Sequence, residues 1–144
     1  MAGKSDYLEN KFIDWLLRGQ AFTPPAVWIA LFTSGPTDSG GGTEVTGGSY
    51  SRVQVVSSLA NWAGTQGVGT TGISSGTGGQ TSNNSTIIFP SPTADWGVCK
   101  YIGIFDAATS GNLLFWGELN PHIAINIGDP PAYFPPASLK LTED

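Results

Sequence analysis

One cysteine, one histidine and charge on only 12% of residues are the scarcities that bound what this 144-residue chain can do. A lone Cys99 rules out an intrachain disulfide and a cysteine-rich metal site. Lying in an apolar run, it reads as a small core residue. A lone His122 leaves a Ser-His-Asp triad one choice of base, and no G-x-S-x-G elbow presents a serine to it. One cysteine and one histidine do not furnish a zinc centre. The expectation is therefore no catalytic residue, no metal ligand and no cofactor. Basic residues are scarce too. Lys4, Lys11, Arg18, Arg52, Lys100 and Lys140 stand against 11 acids, for a net charge of -5. Nucleic acid recognition needs clustered Lys and Arg to displace counterions, so nucleic acid and anionic membrane are excluded as main partners. No apolar run reaches the ~20 residues that cross a bilayer. The opening MAGKSDYLENKF carries charges where a signal peptide needs an apolar centre. Synthesis in a cytoplasm, without export by that route, is the expectation.

What is present suits short strands and tight turns. The 20 glycines and abundant Ser and Thr give a surface of hydroxyls and amides, while 40% hydrophobic content supplies a core for one domain. So little surface charge fits a subunit whose surface is partly covered by neighbours. Residues 5–18 form the one helix: Leu8, Phe12, Trp15 and Leu16 recur at helical spacing. Ser5 is its N-cap, Asp6 and Glu9 lie at the positive end of its dipole, and Arg18-Gly19 ends it. Beyond Pro24-Pro25 the pattern is strand-like. VWIALFT (27–33) is apolar on both faces, as in a central covered strand. YSRVQVVSS (50–58), TIIFP (86–90), CKYIGIFD (99–106), NLLFWGEL (112–119), HIAINI (122–127) and SLKLT (138–142) follow, with turns at DAATSGN and IGDPP. About seven short strands predict a single mainly-β domain, a jelly-roll-like β-sandwich with one N-terminal α-helix.

Between strands, residues 61–85 form a Gly/Ser/Thr-rich tract expected to leave the sandwich as an extended loop, because its 64–84 span has almost no apolar side chain to offset ordering. GVGTTG (67–72) within it matches a dinucleotide fingerprint but lacks the flanking strand and helix that make one. Glu44, Asp95, Asp106 and Glu118 are the carboxylates available for acid/base work on a glycan, and nothing in their spacing pairs them. Of the five tryptophans, Trp15 and Trp28 fall in core-patterned elements. Trp62 (ANWAG) and Trp96 (TADWG) stand in turn-like contexts, as interface anchors, sugar platforms or loop-packing aromatics. In GGGTEVTGGSYSRVQV (40–55), Gly47-Gly48 allow a sharp turn into the strand at Tyr50, and Glu44 and Arg52 can pair across it.

YLENKFIDWLLRGQAFTPPAVWIALFTSGP, GGGTEVTGGSYSR, TIIFPSPTADWG, YIGIFDAATSGNLLFWGEL and the C-terminal LKLT, in that order, resemble a family of small tailed-phage virion proteins commonly labelled phage tail fibre proteins. The tract at 64–84 departs from the family pattern. The resemblance implies a non-enzymatic virion structural protein made in the bacterial host cytoplasm, acting by adhesive contact. It implies a homo-oligomer, most simply a trimer, bound to other virion proteins: tail components or the major capsid protein. Two placements follow, a tail-fibre module or a capsid decoration (cement) protein. A third reading is a module that binds or cleaves a host surface glycan. Tyr50, Arg52, Glu44, Trp62 and Trp96 are the binding or interface candidates, and no catalytic residue carries over from the family.

Overall fold

The computed structural model describes residues 3–143. Strands β1 (Gly3–Lys4), β2 (Val27–Ser34), β3 (Thr43–Glu44), β4 (Val53–Val55), β7 (Gly97–Phe105) and β8 (Leu113–Ile125) form one antiparallel sheet in the order β1-β8-β7-β2-β3. Strand β4 also pairs with β2. Two short ribbons, β5 (Gln80–Ser82) with β10 (Lys140–Thr142) and β6 (Ile87–Ile88) with β9 (Tyr133–Phe134), complete a mainly-β, sandwich-like fold with one helix, α1 (Asp6–Leu17). The second layer is thus a pair of two-stranded ribbons rather than a full sheet.

Strand pairing explains the core. The register Ile29↔Ile104 and Leu31↔Ile102 puts four β-branched or leucine side chains on one face of the sheet. All four are buried, in one cluster with Ile87, Phe89, Trp96, Cys99, Leu139 and Leu141. Burial in this apolar setting pushes the Cys99 thiol up to about 11, so it is inert packing, as its sequence context implies. The opposite face carries Trp28, Phe32 and Phe105, with the Phe32 and Phe105 rings stacked at 6.1 Å. Phe32 is buried, but Trp28 is only half-buried. The expectation of a core Trp28 is corrected accordingly. At Gly103, a Cβ would meet Phe32, Leu113 and Phe105 side chains at 2.8–3.2 Å, so glycine here is required by close packing.

The helix starts and stops where its caps place it. The Ser5 hydroxyl accepts a hydrogen bond from the Leu8 N–H and donates one to the Leu113 carbonyl, while the Ser5 N–H donates to the Leu114 carbonyl at 2.8 Å. One residue therefore both caps α1 and ties it to β8. Gly19, at φ 68°, lets the chain leave the helix, and the Gln20 N–H bonds back to the Asp14 carbonyl.

Three sequence expectations change. NLLFWGEL and HIAINI are one strand, β8, whose pairing with β7 is irregular between Cys99 and Tyr101, opposite the segment with the cis Asn120-Pro121 bond. The strand read across 50–58 shortens to Val53–Val55. The tract 61–85 does not simply extend away. Its stems join the fold: Trp62 bridges Asn83, the Ala63 N–H donates to the Ser82 carbonyl, and β5 pairs with β10. Its tip satisfies its backbone with side chains instead of burial. Gln66 donates to the Ile73 carbonyl, Thr65 to the Ser75 carbonyl, and Asn84 accepts from the Gly69 N–H and donates to the Thr70 carbonyl.

Asn83 closes this region. Its buried side chain donates to the Ser85 and Pro135 carbonyls at 2.9 Å and accepts from the Leu139 N–H at 2.9 Å. Removing it strands these groups, each costing about 1–3 kcal/mol if left unpaired. Asn83→Ala is expected to lower unfolding free energy in urea by about 2–4 kcal/mol; a loss under about 0.5 kcal/mol, the range of an ordinary surface substitution, would mean that Asn83 does not hold the 135–139 turn.

Candidate functional site

The stretch 40–55 builds a polar cluster at the open edge of β2. Strands β3 and β4 lie end to end along that edge, β3 opposite Phe32 and Ser34, β4 opposite Val27 to Ile29. Between them the ladder has a gap at Leu31. Its carbonyl accepts from the Val45 N–H at 3.0 Å, and its N–H donates to the Tyr50 hydroxyl at 3.0 Å. The Tyr50 hydroxyl in turn donates to Glu44 Oε1 at 2.9 Å. Arg52 completes the cluster with a two-pronged ion pair to Glu44, Nε to Oε1 and Nη2 to Oε2, each 2.8 Å. Its remaining nitrogen, Nη1, donates to the Ala107 and Ser110 carbonyls at 2.9 and 2.8 Å. The guanidinium lies 3.6 Å from the Phe105 ring centroid.

All three guanidinium nitrogens of Arg52 thus donate to groups of the chain itself, and its side chain is 7% exposed. Burial raises the Tyr50 hydroxyl far above its ordinary value, with the Glu44 carboxylate adding to the effect, so Tyr50 is a fixed neutral relay and not a proton donor to solution. Sequence and structure agree on the Glu44–Arg52 pair. The cluster leaves above it a shallow depression of about 330 Å³, walled by Thr46, Gly47, Ser51 and Thr109.

Of the two loop tryptophans, Trp96 is not a platform. Trp96 is 5% exposed, packs edge-on to Tyr50 at 5.3 Å and donates its indole N–H to the Gly48 carbonyl at 2.8 Å. A ring buried on these terms has no face for a sugar, which corrects the expectation for Trp96. Gly48 has φ 55°, and a Cβ there would sit 2.9 Å from the Trp96 indole nitrogen, so both the turn and the tryptophan require glycine. Trp62 is half-buried against the core at the base of the 61–85 tract.

The carboxylates are engaged likewise. Asp95 accepts from the Ile127 N–H, Asp106 from Asn112 through both oxygens, Asp129 from the Asn126 N–H and Asp38 from the Trp116 indole. Glu118 pairs with His122 at 2.9 Å on the surface of β8. The structure brings no two of Glu44, Asp95, Asp106 and Glu118 together as hydrogen-bonded partners. Among the described residues, no group of three His, Cys, Asp or Glu is placed to hold a metal, and no helix is long and apolar enough to cross a membrane.

A second feature lies where sequence reading placed core. Alongside α1 runs an apolar groove of about 800 Å³, lined by Leu8, Phe12, Trp15, Phe22, Pro24 and Phe115. The Lys4–Glu143 ion pair, 2.7 Å, stands in its wall, with Lys4 Nζ 5.5 Å from the Phe12 ring centroid. No residue of α1 is fully buried. Trp15, expected in the core, is 51% exposed. The helical stripe was legible as apolar, but periodicity does not say whether its cover is the chain's own sheet or another surface.

Over residues 3–142 the chain matches a family model described as podophage GP4 fiber I protein gp80, and it belongs to that phage fibre family. No curated protein matches it. The resemblance to phage tail fibre proteins read from the motifs therefore holds.

Within this fold, Arg52→Ala leaves Glu44 with a partly buried, unpaired charge and frees the 107–110 loop from its two carbonyl bonds. The expected cost is about 3 kcal/mol in chemical denaturation. Arg52→Lys is expected to recover less than half of it, since an ammonium cannot reproduce the two-pronged pair. Full recovery by lysine would reduce the cluster to simple charge neutralisation.

Proposed function

We propose that the chain is a non-enzymatic structural component of the fibre of a tailed-phage virion. It works by noncovalent contact with copies of itself, most simply as a trimer, and with other tail components. The observation that carries this reading is the use of its polar chemistry. Arg52, Glu44, Tyr50, Asp38, Asp95, Asp106 and Asp129 are spent on closing loops and turns of a β framework whose family is a fibre family. A scaffold of this kind presents shape and a surface poor in charge. Contact made by it depends little on salt.

A tail position is favoured over a capsid decoration role by the family description. Host-surface glycan remains a partner for exposed loops and not for Trp96. Residues 64–79, with Val68 and Ile73 exposed among hydroxyls and amides, offer such a loop. Purified particles, stained quantitatively and labelled with gold-conjugated antibody to this chain, are expected to show a small number of copies confined to the tail. Labelling spread over the head, at abundance comparable to the major capsid protein, would make it a decoration protein instead.

A further inference from the structure

We propose that the outward face of α1, together with the groove beside it, is the surface on which a second copy of this chain docks. The inference rests on the fibre reading and names the surface by which the chain would self-associate.

The helix is mounted with its apolar side outward. The residues it turns toward the body are Tyr7, Leu8, Lys11 and Asp14, all half-buried. Those it turns away include Phe12, Ile13, Trp15, Leu16 and Leu17, exposed by 47%, 48%, 51%, 56% and 76%. This reverses the usual arrangement of a surface helix. Position is not adjustable, because Ser5 and β1 clamp the start of the helix to β8.

Area identifies the scale of the occupant. Aromatic side chains such as Phe12 and Trp15 carry on the order of 150–250 Å² each, and the aliphatic ones lie toward the lower end of that range. Five of them, about half exposed, leave on the order of 500 Å² uncovered. A stable protein–protein contact covers about 800 Å² per partner, and about two thirds of a homodimer interface is apolar. The helix face alone therefore provides the apolar centre of one standard interface. It is also as large as the largest patches that monomers carry, about 300–600 Å².

Charge identifies the occupant. The helix, its cap and the groove wall hold Lys4, Lys11 and Arg18 against Asp6, Glu9, Asp14 and Glu143. That is three bases and four acids, or -1. The rest of the chain, with three bases and seven acids, carries the remaining -4. Because bases and acids stand here in near-equal number, bases on one copy can meet acids on another. An apolar face rimmed by both signs can meet the α1 faces of neighbouring copies around a shared symmetry axis, which in the proposed trimer is threefold.

The test is the mass of the full chain by sedimentation across a concentration series, for the wild type, Trp15→Glu, Leu17→Glu and Ile73→Glu. Leu17 is exposed enough that its substitution leaves the fold intact, and Ile73 is an exposed apolar control on the 64–79 tip. The wild type is expected to form a defined oligomer. Trp15→Glu and Leu17→Glu are expected to weaken it at least roughly 30-fold, with Ile73→Glu unchanged. A wild type that stays monomeric overturns the proposal. So does an oligomer that survives both helix substitutions, which would put the interface elsewhere. Either result leaves the fibre reading intact, since particle labelling tests that separately.

Discussion

The Tyr50 hydroxyl is the atom on which the open edge of this sheet depends. Strand β2 needs partners on both sides, and on one side it has two short ones, β3 and β4, with a break between them. The unpaired Leu31 N–H at that break would be costly inside a protein. Tyr50 accepts it, passes its own proton toward Glu44, and Glu44 is fixed by Arg52. Arg52 then holds the 107–110 turn that connects β7 to β8. One relay thus spans the edge of β2 and the far hairpin. The same tyrosine ring packs on Phe89 and Trp96, so the polar edge and the apolar core share a member.

The parts of this design written locally could be read from the sequence. Ser5 and Gly19 bracket the helix because caps act within a few residues. VWIALFT reads as a central strand because both its faces are apolar. Glu44 and Arg52, eight residues apart across a glycine turn, were legible as a pair. What depends on distant partners was not. Trp96 stands in a turn-like sequence, and its burial follows from Gly48, a residue 48 positions away. Strands β1, β3, β5 and β9 are two or three residues long, too short for any period to register. Asn120-Pro121 made one strand look like two, since proline removes a ladder donor and marks an apparent end. The 61–85 tract lacks the apolar side chains that would signal order, and hydroxyl and amide side chains supply its backbone with partners instead.

Trp15 shows the deepest of these limits, and it also links fold to function. An apolar stripe on a helix has the same spacing whether it faces its own sheet or a neighbour. Here the polar residues hold loops inside the chain while a tryptophan, a phenylalanine and three aliphatic side chains of α1 face outward. A protein whose chemistry is turned inward and whose grease is turned outward is built to be one part of something larger. Hydroxyl-radical footprinting of Trp15 in intact particles, compared with the same residue in chain unfolded from them, tests this most directly. Trp15 is expected to be strongly protected in the particle, well beyond the half-exposure of the single chain, while Ile73 oxidises readily in both. A Trp15 oxidised in the particle to the extent its single-chain exposure dictates would contradict it.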